Sequence, residues 1–242
     1  MWWGTLAFLL LFFALEYILG VFTFFLKKAN RLMYLKHMVE RHLSSKLWRV
    51  AQFYVDFGVK KYPQVHYFQY MSGLVHYRKG DYSLSLSHFE RAKKIAPDYT
   101  EIDNIIGDTY LQLQLFADAK KHLDRFLLSN PENVNARLNL AVAEYKTANW
   151  EGAIRILDQV IMLDANQPLA YKLKGSTLTK LKRDRDALES FKMYCQFGGS
   201  DPNVNSQILR IYRHLEEYET CKDYAEQLLS TDRKSTRLNS SH

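Results

Sequence analysis

The spacing of small and large apolar residues repeats every 34 residues between about residue 66 and residue 235. The repeating units begin at His66, Thr100, Val134, Pro168 and Pro202. Three positions carry the pattern: the eighth is mostly small, the twentieth is small, and the twenty-fourth is mostly bulky and apolar. In unit order they are Gly73, Gly107, Ala141, Gly175 and Leu209; Ser85, Ala119, Ala153, Ala187 and Cys221; and Phe89, Leu123, Leu157, Phe191 and Ala225. A fixed period of this length predicts one helix-turn-helix unit, stacked repeatedly into an all-α solenoid.

Each unit is expected to form two helices of about 13 residues. Helices approach closely only where the residues at their crossing are small, so the eighth and twentieth positions are predicted to lie at that crossing. We expect the twenty-fourth position to insert between neighbouring units. Helix-breaking residues predict the turns, which fall at residues 79–81, 129–132, 164–168 and 198–202.

Composition agrees with a folded helical chain. Hydrophobic residues make up 47% of the 242 residues, with ten glycines and five prolines. The net charge of +7 concerns partners and membranes more than the fold. The two cysteines, Cys195 and Cys221, belong to no metal or redox motif and are interpreted as small apolar fillers of second helices. Their small number favours a reducing compartment.

Residues 2–26 form an apolar stretch with one charged residue, Glu16. As a helix it would reach about 37 Å, enough to cross a hydrocarbon core of about 30 Å. No basic residue precedes the stretch and no small-residue cleavage motif follows it, which argues against a signal peptide. The sequence therefore predicts a transmembrane anchor over residues 1–26.

A basic cluster follows the apolar stretch, at Lys27, Lys28, Arg31, Lys36 and Arg41. Because positive residues stay on the cytoplasmic side, the N-terminus is predicted outside and the repeats in the cytoplasm. The first four of these cations are also candidates for contact with anionic lipid headgroups. The simpler interpretation is that they only determine topology.

Glu16 is a candidate functional residue within the predicted span, where a charge is costly and normally has a partner. It would suit pairing with a partner transmembrane helix. The alternative is a protonated carboxyl that hydrogen-bonds to Tyr17 or to its own backbone.

Two units carry the signature of a known family. Residues 73–97 combine a small eighth residue, a Gly80-Asp81-Tyr82 turn and a terminal Pro97, and residues 107–131 add Tyr110 and Ala119. On these residues the chain resembles the tetratricopeptide repeat (TPR) family. Residues 32–65 resemble a degenerate repeat in the same phase. The resulting domains are a basic juxtamembrane segment with this degenerate repeat over 27–65, five repeats over 66–235, and a polar tail over 236–242.

The resemblance implies a right-handed superhelix whose concave face binds a protein or peptide, without a cofactor. In the family, that face is lined near positions 2, 5, 9 and 12 of each first helix. Aromatic residues and arginine are typical anchors in interfaces, and here the face grades from aromatic to acidic and apolar to basic. The alternative is that several tyrosines pack against adjacent helices. The candidate groove residues are Tyr67, Tyr70, Tyr77, Glu101, Asn104, Asp108, Leu138, Tyr145, Lys172, Ser176, Arg210 and Arg213.

Other chemistry is not indicated. The sequence has no phosphate-binding glycine loop and no catalytic or zinc motif. His37 and His42 lack a companion carboxylate at metal spacing and are expected to be exposed on an amphipathic helix. The ninth positions hold no asparagine, which argues against the carboxylate clamp by which some TPR proteins bind chaperone tails. We therefore expect no enzyme activity, no metal, no nucleic acid and no small-molecule substrate.

The C-terminal segment departs from the repeat pattern. The last helix is expected to end near Leu229, and residues 233–242 are polar without apolar periodicity. Because repeat arrays normally end in a solubilising cap, we interpret this tail as foreign to a protein that continues further. The alternative is a short native disordered tail.

The sequence thus predicts a membrane-anchored TPR scaffold that holds a partner for the assembly or recruitment of a membrane complex. This organisation resembles membrane-tethered TPR proteins of the bacterial inner membrane. One alternative is an organelle import receptor, because Glu101 and Asp108 would suit a basic presequence. Another is a regulatory subunit that pairs with a membrane enzyme through Glu16.

Overall fold

The computed structural model describes the backbone of residues 14–16 and 28–239, and the side chains of residues 14–16 and 31–230. The predicted anchor therefore lies outside the described residues, except for residues 14–16, and so do Lys27 and the side chain of Lys28. Over the described ranges, no helix combines the length and apolar character needed to cross a bilayer.

The chain divides into two compact units, residues 1–102 and 103–242. The described part of the first unit contains two helical hairpins. The first hairpin pairs α1 (Lys28–Ser44) with α2 (Trp48–Lys61), and the second pairs α3 (His66–Lys79) with α4 (Tyr82–Ile95). Leu35, Val39, Val55 and Phe68 form a buried core among these helices.

The second unit continues the same architecture, beginning within α5 (Glu101–Gln112) at the unit boundary. The following helices are α6 (Phe116–Ser129), α7 (Val134–Lys146), α8 (Trp150–Leu163), α9 (Pro168–Lys180), α10 (Asp184–Gln196), α11 (Pro202–His214) and α12 (Tyr218–Asn239). All regular elements in the described residues are helices, which confirms the all-α repeat fold.

The eighth and twentieth positions meet where the two helices of a unit cross. The Ser85 hydroxyl donates a hydrogen bond to the Gly73 carbonyl at 2.8 Å, and the Cys221 thiol lies 3.6 Å from the Leu209 carbonyl. These pairs occupy the same two positions in different units. A small side chain is required there because the neighbouring backbone comes within hydrogen-bonding distance.

The bulky twenty-fourth residue packs on the eighth residue of its own unit, an arrangement that the sequence analysis missed. A Cβ atom added to Gly73 would lie 2.5 Å from the Phe89 ring, and one added to Gly175 would lie 2.6 Å from the Phe191 ring. In the last unit the sizes are exchanged, since Leu209 stands at the eighth position and Ala225 at the twenty-fourth. The apparent departure at Leu209 is therefore consistent with a size compensation between two positions.

A backbone position with positive φ lies between the two helices of each hairpin. It recurs at every thirty-fourth residue: Lys46, Gly80, Gln114, Ala148, Lys182 and Glu216. The φ angle is 83° at Gly80 and about 60° at the other five. Only one of the six is a glycine, so five non-glycine side chains adopt the left-handed conformation that L-residues disfavour.

A polar pair joins the two helices of three hairpins, at the fourth and twenty-third positions of the unit. His88 Nδ1 lies 2.9 Å from Gln69 Oε1, and His122 Nδ1 lies 3.0 Å from the buried Asp103 Oδ1. In the last unit the Tyr224 hydroxyl donates to Asn205 Oδ1 at 2.9 Å. Such a pair gives the buried polar atoms a partner and fixes the register of the two helices.

The last helix corrects one prediction. The α12 helix continues to Asn239, past the end expected near Leu229. Residues 218–239 contain neither glycine nor proline, so no backbone signal ends the helix where the apolar period stops.

Candidate functional site

The predicted groove tyrosines within residues 1–102 contact neighbouring side chains. The Tyr67 hydroxyl donates to Glu40 Oε1 at 3.2 Å and lies 3.3 Å from the Lys36 carbonyl. The Lys36 ammonium lies over the same ring, 4.9 Å from its centroid. Burial and the adjacent Glu40 raise the pKa of Tyr67. Tyr67 therefore packs on α1.

Tyr70 and Tyr77 also contact neighbouring rings. Tyr70 lies 5.7 Å from Phe89 and 6.3 Å from Tyr99, measured between ring centroids, and burial raises the pKa of Tyr70. Tyr77 lies 5.3 Å from Tyr82 in an edge-to-face arrangement. For these tyrosines the structure favours the alternative in which they pack against adjacent helices.

The middle candidates differ in accessibility. Glu101 is exposed, whereas Asn104 and Asp108 are half-buried. Asp108 Oδ1 accepts a long hydrogen bond from the Asn139 amide at 3.4 Å. Leu138 packs against the buried core that contains Ala141.

Four of the remaining candidates, Tyr145, Ser176, Arg210 and Arg213, lie together on α7, α9 and α11 of the second compact unit. A hollow of about 340 Å³ contains Tyr145 and Ser176 with Arg210. A second hollow of about 390 Å³ contains Arg210 and Arg213. The two hollows share Arg210 and Gln207, and we call them together the basic groove. Its full lining is Tyr145, Ser176, Thr179, Lys180, Asn203, Ser206, Gln207, Arg210 and Arg213.

The basic groove is rich in hydrogen-bond donors and cations. Lys180, Arg210 and Arg213 supply three positive charges, and no carboxylate belongs to either lining. Within the part of the chain that the structure describes, none of these three cations forms an ion pair. The Ser176 and Thr179 hydroxyls donate to carbonyls of their own helix, at 3.0 Å and 2.9 Å. Such a surface suits a carboxylate-bearing partner, because arginine binds carboxylates with a planar pair of donors.

Lys172, the last of the predicted groove residues, forms an ion pair with Asp201. Its ammonium lies 2.5 Å from Asp201 Oδ2, and this hydrogen bond raises the pKa of Lys172. The same contact, with the backbone amide of Asn203, lowers the pKa of Asp201. Lys172 therefore stabilises the α11 N-terminus and does not belong to the lining of the basic groove.

Thr179, Asn203 and Ser206 of the lining stand at positions that the family resemblance named, and sequence reasoning missed the remaining two residues, Lys180 and Gln207. They occupy positions 13 and 6 of their units, next to the positions that the family resemblance named. The signal that was available is the cation at position 13, one residue after Thr179.

Glu16 lies in a buried polar cluster on the first hairpin. Glu16 is 6% exposed, and its Oε2 accepts a hydrogen bond from the Tyr54 hydroxyl at 2.7 Å. Its Oε1 lies 3.2 Å from His42 Nε2 and 3.8 Å from Arg41 Nη1. The carboxylate thus has partners in α1 and α2, whereas Tyr17, the partner considered from the sequence, lies outside the described residues.

His42 corrects a second prediction, since it was expected on an exposed face. The side chain is 1% exposed and stacks on Tyr54, with 5.4 Å between ring centroids and 6° between planes. Helical periodicity did not identify this burial because the partner, Glu16, lies outside the repeat. His37 is exposed as expected.

Two matches to family models identify the family. Tetratricopeptide repeat models match residues 41–100 and residues 116–176, which together make up half of the chain. The chain therefore belongs to the tetratricopeptide repeat family, as the 34-residue period predicted. The fold is one of protein-interaction scaffolds.

Among curated proteins, the chain is similar to a TPR repeat-containing protein of Methanocaldococcus jannaschii, with 22% identity. The match covers 56% of this chain and 33% of that protein, so the chain spans about a third of its relative's length.

Solved structures share the fold at low identity. PilW, a type IV pilus biogenesis factor, has a TM-score of 0.69 and 19% identity over 82% of this chain and 92% of its own. PilF of Pseudomonas aeruginosa has a TM-score of 0.67 and 16% identity over 81% and 90% of the two chains. MamA of Desulfovibrio magneticus has a TM-score of 0.66 and 17% identity over 69% and 94%.

Proposed function

We propose that this protein is a membrane-attached scaffold that holds an acidic segment of a protein partner in the basic groove. The observation that carries the proposal is the pair of adjoining hollows, where Lys180, Arg210 and Arg213 line the surface without a carboxylate. Tyr145 adds an aromatic anchor of the kind that concentrates binding energy in interfaces. Similarity in fold to a pilus biogenesis factor agrees with a role in assembling a membrane complex.

The charge of the groove distinguishes between the functions considered from the sequence. An import receptor would bind a basic presequence, which the three cations would repel. A regulatory subunit would pair with a membrane enzyme through Glu16, but Glu16 contacts Tyr54 and His42 of its own chain. The scaffold with an acidic partner agrees with both observations.

Membrane attachment is the second part of the proposal, supported by the apolar residues 2–26 and the cations that follow them. The positive flank favours repeats on the cytoplasmic side of a bacterial inner membrane. The Glu16 contacts limit the length available for crossing if they persist at the membrane. Residues 2–15 would then reach about 21 Å as a helix, less than a hydrocarbon core of about 30 Å. Attachment of the chain to a membrane and complete crossing of the bilayer are therefore two separate properties.

The partner proposal is tested by photo-crosslinking from position 207, which lies in both hollows. A photoreactive amino acid replaces Gln207 in the full-length, membrane-attached chain, and a discrete protein adduct is expected. Arg210→Glu with Arg213→Glu should abolish the adduct, because two carboxylates would repel the acidic segment. The control Lys222→Glu changes an exposed cation on α12 and should leave the adduct unchanged. An adduct that survives the double substitution would contradict the acidic-segment proposal.

A further inference from the structure

The outer face of α2 carries two exposed phenylalanines on adjacent helical turns. Phe53 is 67% exposed and Phe57 is 51% exposed. Residues four apart share one face of a helix, so the two rings form one apolar surface. We call this surface, with the cations that flank it, the Phe53–Phe57 face.

Basic residues flank the two rings at both ends. Arg49 precedes Phe53 by one turn, and Lys60 and Lys61 follow Phe57. All three cations are exposed, and the carboxylate on the same face is the exposed Asp56. Aromatic rings between cations are typical of helices that lie in the interfacial region of an anionic membrane.

The later hairpins provide an internal comparison, because the 34-residue period identifies the same positions in each. The residues in phase with Phe53 are Ser87, Lys121, Arg155, Glu189 and Asp223. Those in phase with Phe57 are Arg91, Arg125, Gln159, Met193 and Gln227. The outer position is thus polar in nine of these ten cases. The hairpin architecture itself does not require phenylalanine there.

The first hairpin also contacts the apolar N-terminal stretch. Tyr54 is adjacent to Phe53, in an edge-to-face contact at 5.6 Å, and its hydroxyl holds Glu16 at 2.7 Å. Glu16 is the one charged residue of the apolar residues 2–26. The hairpin that carries the two exposed rings therefore contacts Glu16, a residue of the segment proposed to attach the chain to a membrane.

We propose that the Phe53–Phe57 face binds an anionic lipid surface, with the rings among the acyl chains and Arg49, Lys60 and Lys61 at the headgroups. The proposal rests on the membrane attachment proposed above and adds a second, peripheral contact to it. It makes the first hairpin an interfacial element that fixes how the chain lies on the bilayer.

The test places an environment-sensitive fluorophore between the two rings. The full chain with Cys195→Ala and Cys221→Ala is labelled at Asp56→Cys, which leaves both phenylalanines in place. The matched control is labelled at Glu226→Cys, the exposed residue in the same position of the last hairpin. Both proteins lose one carboxylate, so their charges are equal. They are mixed with vesicles that contain phosphatidylglycerol, with and without lipids that carry a quencher in the acyl chain.

The expected result is that the protein floats with the vesicles and that lipid quenching is about threefold or more stronger at position 56 than at position 226. Phe53→Lys with Phe57→Arg introduces the residues that α6 carries at these positions. It should reduce quenching at position 56 to the control level while flotation is retained.

Three outcomes would overturn the inference. If the protein floats and the two positions are quenched equally, the face is not in the bilayer, although membrane attachment stands. The label at position 56 could be shielded from water in native membranes and yet not be quenched in the vesicles. In that case a protein, and not lipid, covers the face. If the protein does not float, membrane attachment itself fails.

Discussion

The Phe89 ring occupies the space that a side chain at residue 73 would need, since a Cβ atom on Gly73 would lie 2.5 Å from it. Phe89 is fully buried, so the ring has little room to move. The same relationship holds between Gly175 and Phe191. The helix crossing therefore depends on a pair of positions whose combined size is limited.

Gly73→Ala is expected to destabilise the protein by about 1–3 kcal/mol through overpacking against Phe89. Phe89→Leu removes part of the ring and is also expected to destabilise the protein alone, through loss of buried surface. In the double variant the losses should not add, because the smaller residue 89 accommodates the new methyl group. Urea unfolding of the four proteins measures this coupling. Strictly additive changes would show that the two positions do not share space.

The left-handed turn positions provide a reciprocal experiment. Gly80→Ala should destabilise the protein by about 1 kcal/mol, because its φ of 83° disfavours a side chain while the surrounding space is open. Ala148→Gly should instead stabilise the protein, because Ala148 adopts the left-handed conformation, at a φ of 60°, that glycine adopts more readily. Thermal unfolding of both variants measures the two changes. Destabilisation by Ala148→Gly would show that chain entropy outweighs the relief of strain.

His88 makes the stability of the first unit depend on pH. Burial, with the nearby His76 and Arg91, lowers the pKa of His88. The unfolded chain therefore binds a proton at His88 more readily than the folded chain. This contribution to stability is present above the ordinary histidine pKa of about 6.5 and is lost as the pH falls below it. Chemical unfolding should show that the free energy of unfolding falls less between pH 7.5 and pH 5.5 for His88→Gln than for the parent protein. The exposed His37→Gln serves as the control and should behave as the parent does.

The Glu16 contact is testable through the ionisation of Tyr54. Burial raises the pKa of Tyr54, and the hydrogen bond accepted by Glu16 raises it further. Glu16→Gln should therefore lower the pKa of Tyr54 towards its ordinary value, with a smaller decrease at Tyr34, whose pKa the Glu16 charge also raises. Alkaline absorbance titration detects this change, and most of it should be lost in a Tyr54→Phe background, where Tyr34 remains. A difference of undiminished size in that background would show that the Tyr54 hydrogen bond does not cause it.

The sequence by itself determined the repeated hairpin, because the constraint is local and recurs. A small residue at a crossing and a breaker in the turn both lie within one 34-residue unit, where their spacing can be read directly. The packing of the bulky twenty-fourth residue on the eighth residue of the same unit came only from the structure. The family resemblance, applied to these repeats, implied the candidate face on the first helices and its basic end at Arg210 and Arg213.

The tertiary structure decided which of those residues are engaged and which are accessible. Tyr67 is held by Glu40, 27 residues away, and Lys172 is held by Asp201. His42 is buried, stacked on Tyr54 and in contact with Glu16, which lies outside the repeat. Such pairings join residues that are distant in sequence, and no periodic pattern encodes them. The sequence therefore predicted a candidate binding face, whereas the contacts between the described helices show which of its cations, Lys180, Arg210 and Arg213, line the basic groove without an ion pair among the described residues.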